Sequence, residues 1–301
     1  MKRIVIMTLV LLGLVGMAAA QAATAPAQPA PSQQKSQPAA QAAATPAQPP
    51  ATLHKRPPAA RTAEEGAAYQ AIAGNPDLAA AEAAAKGFEA KYPQSELRSV
   101  VYSVLMTRYQ QANNGDKAIE MGRKVLQFDP DHTIALVMTA TVLAERTTDA
   151  DLDHDARFAE AMKDAQHALD TIDTGLVLRA DVTEEQWRSA KSILSSMAQS
   201  AMGMVELKRK NPAEAEKRYR AAVELNAAQP DAVIFLRLAL ALDQQSKYAE
   251  ALTAANRAVE LSAPTGGRVS DWAKQEQSRL SALTGQKPPA PAPAPAAPPK
   301  P

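Results

Sequence analysis

The chain has 301 residues, with 33 Lys and Arg against 32 Asp and Glu, 46% hydrophobic but 4% aromatic residues, no cysteine and 23 prolines. Without cysteine, a disulfide framework, thiol catalysis and cysteine-ligated zinc or iron–sulfur sites are excluded. Nine prolines fall in 23–60, eight in 286–301 and six in 61–285, so the middle segment, rich in Ala, Leu, Val and Met, is the part that can bury a core.

Residues 1–22 read as an export signal. Met1-Lys2-Arg3 is basic, Ile4 to Met17 is an uncharged apolar stretch shorter than a spanning helix needs, and Ala20-Gln21-Ala22 supplies the small-x-small cleavage pattern. The expected mature protein is periplasmic or secreted, with no stable membrane insertion after cleavage and no cysteine for lipid attachment at that point. Residues 23–60 and 286–301, largely Ala, Pro and Gln, have too few large apolar side chains to offset ordering entropy and are expected to be disordered tethers. The segment between them carries six more acids than bases, which argues against nucleic acid as a partner. Its densest basic cluster, Lys208-Arg209-Lys210, falls where a helix should end and answers the helix dipole.

Three stretches of 61–285 align without gaps: DKAIEMGRKVLQFDP (116–130), NPAEAEKRYRAAVELNA (211–227) and KYAEALTAANRAVELSAP (247–264). Each opens with a turn, then sets a small residue at Ala118, Ala215 or Ala251 and another residue seven later, at Val125, Ala222 or Ala258. Antiparallel helices approach closely only where facing side chains are small, and each pair leaves an apolar face for the next pair to cover.

With this grammar the segment resembles the tetratricopeptide repeat family, a helix–turn–helix unit of about 34 residues. One unit starts at Ser99, with Tyr102, Leu105, Met106 and Tyr109 on its first helix (helix A) and Ala118, Gly122 and Val125 on its second (helix B). A second starts at Ala232, with Phe235, Leu238, Ala239 and Leu242, then Tyr248, Ala251, Ala255 and Ala258. A third starts at Ser196, with Met202-Gly203, Ala215, Tyr219 and Ala222, although Gln199 and Glu206 replace aromatics. Two units are degenerate. One, from Thr133, carries Leu136, Ala140 and Leu143, then Ala161, Ala165 and Ala168, with extra residues around TTDADLDHDA; the other, 62–95, carries Ala81, Ala85, Phe88 and Pro93. A long helix opens at Thr183 with the capping box Thr183-Glu184-Glu185-Gln186, and a terminal helix over 270–284 opens at Ser270-Asp271. The six remaining prolines all lie between expected helices. The resemblance implies an all-α, right-handed α-solenoid of about five hairpins with a C-terminal capping helix.

Chemistry is sparse. Asp149, Asp151, Asp153 and Glu160 echo a calcium-loop spacing, but His154 replaces the turn glycine and Arg157 an oxygen ligand. The competing reading is an acidic helix entry with Asp153 or Asp155 as cap. His54, His132, His154 and His167 are scattered, Ser195-Ser196 has no adjacent base, and Trp187 and Trp272 read as packing anchors. Met197, Met202 and Met204 read as adaptable core filling.

The expected function is therefore a non-enzymatic scaffold for protein–protein interaction, without cofactor, binding a protein or peptide segment in the cell envelope. The alternative is an accessory or regulatory domain of an envelope enzyme, or a metal-dependent protein using the 149–160 loop. The resemblance implies that a groove is lined by Val100, Ser103, Thr107 and Gln110; Ile134, Val137, Thr141 and Ala144; Met197, Ser200, Met204 and Leu207; Val233, Leu236, Leu240 and Asp243, with Met204, Leu236 and Leu240 as anchors. The family's basic clamp for C-terminal carboxylates is absent from these positions.

Overall fold

The structure, a computed structural model, describes residues 55–177 and 182–286. The expected signal segment, most of the N-terminal flank and residues 287–301 lie outside the described residues. Residues 55–60 have no regular secondary structure; Lys55 pairs with Asp129 and the Arg56 guanidinium grips Glu96 at 2.8 Å, so the described chain includes the last six residues of the expected tether.

Every element among the described residues is a helix. They are α1 (Ala63–Ala73), α2 (Leu78–Lys91), α3 (Leu97–Gln111), α4 (Gly115–Phe128), α5 (Thr133–Arg146), α6 (His154–Gly175), α7 (Glu184–Lys208), α8 (Pro212–Leu225), α9 (Ala232–Asp243), α10 (Tyr248–Ser262) and α11 (Gly267–Thr284). Odd-numbered helices act as helix A and even-numbered ones as helix B of five hairpins, and α11 closes the row against α10 and α9. Local chemistry sets most of the starts. Asp77 accepts from the backbone N–H of Ala79 at 2.8 Å, Asn114 from Lys117 at 3.2 Å, Asp231 from Val233 at 2.7 Å, and Pro212 occupies the first turn of α8. At α7 the capping box is complete: Thr183 accepts from Gln186 N–H at 3.2 Å while Gln186 Oε1 accepts from Thr183 N–H at 2.9 Å.

The repeat is written in the backbone as well as the sequence. Helices α3, α7 and α9 end alike: Asn113, Lys210 and Ser246 take positive φ (57°, 61° and 60°), and the next residue's N–H reaches back five residues to the carbonyl of Tyr109, Glu206 or Leu242. That tight left-handed turn reverses the chain into helix B within three or four residues. The α5–α6 connection lacks it and runs through 147–153 instead, consistent with the insertion expected there.

Packing follows the small residues. Ala118, Ala215 and Ala251 are buried, and so are Val125, Ala222 and Ala258 one heptad later. Polar ties join consecutive hairpins: Tyr102 donates to Glu89 at 2.6 Å and Tyr109 to Glu82 at 2.8 Å. Burial works to raise the Glu82 carboxyl, but hydrogen bonds from Lys117, Tyr109 and Lys86 outweigh it and hold the group at about 2.

Two expectations need correction. The capped helix from Thr183 and helix A of the unit at Ser196 are one continuous helix, α7, so no separate long helix stands over the repeats. The terminal helix begins at Gly267, not at Ser270-Asp271. Gly266 and Gly267 carry positive φ and turn the chain, while Ser270 is fully buried and caps nothing.

Candidate binding face

The two ranks of helices differ in charge. The B rank is laced by ion pairs between neighbours: Lys117 with Glu82 at 2.9 Å, Arg123 with Glu160 at 2.6 Å, Lys247 with Glu216 at 2.7 Å and Arg220 with Glu250 at 2.6 Å. The sixteen positions expected to line the A face carry one charge, Asp243, and its carboxylate is held by Arg279 of α11 at 2.6 Å. Long-range polar contacts run across that face. Arg237 of α9 donates from Nη1 to Ser200 of α7 at 3.2 Å and from Nη2 to Glu145 of α5 at 2.9 Å, linking three A helices. Beside it Lys208, at the end of α7, donates to the carbonyls of Glu145 (2.9 Å) and Thr147 (2.6 Å), the last acceptors of α5. The basic cluster at 208–210 thus does sit at a helix end, and Lys208 serves a neighbour's helix end too.

The expected groove residues divide into two groups. Val137 and Ala144 have no exposed surface and Leu236 is 7% exposed, so these three are core and do not line an open groove. Val137 and Ala144 share a core cluster with Ala140, Ala198 and Ala201, whose small side chains let α7 lie directly on α5. Leu236 clusters with Ala258 of α10 and Ala273 of α11. Ser200 is buried under Arg237. Val100, Thr107, Ile134, Met197, Met204, Leu207 and Val233 are half-buried, and all but Thr107 and Val233 pack against a core cluster. Leu240 is 36% exposed, between Arg237, which points toward α7, and Asp243, which points toward α11. On α9, Leu240 is exposed and Val233, one heptad before it on the same face, is half-buried, whereas the rank is closed where α5 meets α7. Sequence reasoning missed Arg237 and Glu145, whose contact spans 92 residues.

The acidic loop does not assemble. Asp151 accepts from Thr148 N–H at 2.7 Å, Asp153 pairs with Arg157 at 2.8 Å, Glu160 is gripped by both Nε and Nη2 of Arg123, and Asp149 is exposed. No group of three His, Asp or Glu side chains among the described residues is placed to hold a metal ion. The helix-entry reading holds in placement, with Asp153 at the cap position of α6 and Asp155 in its first turn, although Asp153 makes no side-chain cap bond. Ser196 spends its hydroxyl on the Ala222 carbonyl at 2.7 Å, His132 caps α5 through Nδ1 at 3.2 Å, and His167 meets Asp131 at 2.7 Å. Trp187 is half-buried against the core, but Trp272 is 53% exposed and anchors nothing.

No family model matches the chain, and no curated protein matches it. Among solved structures it is similar to the MamA protein (15% identity over 62% of this chain and 82% of that one, TM-score 0.42). It is also similar to YrrB, described as a TPR protein with an unusual peptide-binding site (16%, 67% and 86%, TM-score 0.42). A third likeness is to pilF of Pseudomonas aeruginosa (18%, 74% and 95%, TM-score 0.45). The repeated left-handed turns, the buried small residues and the paired helices define the chain as a tetratricopeptide-like all-α solenoid. No described helix is long and apolar enough to cross a membrane.

Proposed function

We propose that this chain is a non-enzymatic interaction scaffold, exported to the bacterial cell envelope by cleavage after Ala22, that holds an apolar segment of a partner protein on its A face. The observation that carries this reading is the asymmetry of the two ranks. The B rank is laced by ion pairs between neighbouring helices, whereas the A rank exposes Leu240, with Val233 one heptad before it and the flanking charges of Arg237 and Asp243 held by Glu145 and Arg279. Apolar side chains in such a patch gain by leaving water when a complementary segment covers them. The metal-dependent alternative is favoured less, because Asp151, Asp153 and Glu160 are engaged by Thr148, Arg157 and Arg123. An accessory role beside an envelope enzyme uses the same face and differs only in the partner.

Site-specific photo-crosslinking in the native envelope tests the reading. A crosslinker at 240 is expected to give one discrete adduct, lost when Val233 is also replaced by Glu, while a crosslinker at Lys217 on the B rank gives none. Equal labelling from both positions, or none from 240, would overturn it. The export half is read from the intact mass of the exported protein, which is expected to start at Ala23; a mass that retains Lys2 would reject it.

A further inference from the structure

We propose that the chain's own segment 287–301 folds back along α11 and covers the exposed Trp272 and Leu283, which bracket the Arg279–Glu276 ion pair on one line of that helix. In the hairpins upstream, helix A is covered by the helix B that follows it. Leu238, which stands 34 residues before Trp272 in the repeat register, is 5% exposed and clusters with Ala251, Leu252 and Ala255 of α10. Among the described residues α11 has no following helix, and Trp272 and Leu283 are each 53% exposed. They are eleven residues apart, three turns of one helix and about 16 Å, with Glu276 and Arg279 on the line between them.

The segment suits that line in reach, direction and chemistry. It begins two residues beyond Gly285, whose left-handed conformation (φ 67°, ψ 11°) turns the chain off the helix axis where it would otherwise run on. From Gly285 back to Trp272 is about 20 Å of helix, and an extended proline-rich strand rises about 3 Å per residue, so roughly seven residues cover the distance and the sequence KPPAPAPAPAAPPKP has length to spare. Proline faces stack well on indole, and a segment with eight prolines presents carbonyl acceptors but few N–H donors. The line offers donors to match: the Trp272 indole N–H, the exposed Arg268 stacked over that ring at 5.6 Å, and Nη1 of Arg279, whose Nε and Nη2 are held by Glu276 and Asp243. Because the segment is tethered next to its site, an effective concentration near millimolar compensates for a small contact.

Trp187 is the other tryptophan, so Trp187→Phe leaves Trp272 as the sole indole reporter. In that background the full chain, a chain ending at Gln286, and a chain with 287–301 replaced by Gly and Ser are compared by emission and acrylamide quenching. The full chain is expected to be blue-shifted and to quench at most half as readily as the other two, with the synthetic peptide 287–301 restoring protection at millimolar concentration. Identical emission and quenching in all three would overturn the proposal. Protection that vanishes on dilution would also overturn it, since the segment would then come from a second copy. If Trp187→Phe melts early, 5-fluorotryptophan in the unsubstituted chain gives two fluorine signals. The one lost in Trp272→Phe should then move on truncation, and an unmoved signal refutes the contact.

Discussion

A Cβ atom on Gly203 would lie 2.9 Å from Cε1 of Tyr219 and 3.0 Å from its Cζ, so the fully buried Tyr219 ring rests flat on the backbone of α7 only because residue 203 has no side chain. The contact joins the two helices of the fourth hairpin near the middle. Gly203→Ala gains helix propensity but forces the ring or the helix to move, and overpacking outweighs the gain. A net loss of about 1–3 kcal/mol in urea unfolding is expected; an unchanged midpoint would show that the ring shifts freely. Tyr219→Phe moves the other way by about 1 kcal/mol, because the buried hydroxyl has no hydrogen-bond partner among the described residues.

The bridge from Arg237 to Glu145 makes three A helices depend on one guanidinium. Its side chain is 18% exposed and that of Glu145 35%, so the pair is partly shielded from solvent. A double-mutant cycle with Arg237→Ala and Glu145→Ala is expected to return a coupling of about 1 kcal/mol that shrinks in high salt. A coupling near zero at low salt would mean that the helices are held by apolar contact alone.

Asp164 gives the fold a measurable pH dependence. Burial, with the charge of Glu160 adding to it, pushes its carboxyl up from 3.8 to about 6, and its Oδ2 has no partner among the described residues. The folded state therefore keeps the proton more tightly than the unfolded chain does. This contribution is fully present below about pH 4 and is lost as pH rises to about 6. Asp164→Asn is expected to stabilise the protein by about 1–3 kcal/mol at pH 7.5 and by nothing near pH 3.5, read as melting temperature across the range. A constant difference across pH would place the effect outside titration.

Leu240 and Val137 separate surface from core on the A rank. Leu240→Glu adds charge to a side chain that is already part-exposed and is expected to alter stability by about 0.5 kcal/mol or less while abolishing partner capture. Val137→Glu buries an unpaired carboxylate and is expected to unfold the chain, with a loss of more than about 3 kcal/mol. Circular dichroism with thermal melts decides both, and a destabilised Leu240→Glu would remove the open face.

Much of the architecture was legible in the residues. Ala118, Ala215 and Ala251, with their partners seven residues on, gave the hairpins because close helix contact demands small side chains wherever it occurs. The binding face was legible only in part. Its map assumed that every helix A shows one edge to a groove, but α5 is apolar nearly all round, from Ile134 through Ala144, and such a helix is buried nearly all round. That signal was present in TIALVMTATVLA and argues against Val137 and Ala144 as groove residues. Ser270 was misread as a cap because a Ser-Asp pair is a strong local start signal, yet the Gly266-Gly267 pair before it had already reversed the chain. The Arg237–Glu145 bridge had no local signal at all, since it is made by stacking and not by sequence neighbourhood.

Lys208 has a consequence for the chain's continuity. It closes the last carbonyls of α5, at Glu145 and Thr147, from a different helix, while Arg123 holds α6 at Glu160 from the other side. Both borders of the 147–153 connection are thus fastened by residues that do not belong to it, and Leu152 at its crest is fully exposed. A single protease cut beside Leu152 is therefore expected to leave two fragments that remain associated and co-elute, so that the molecule lends itself to reconstitution from two separately made halves or to new termini at this connection.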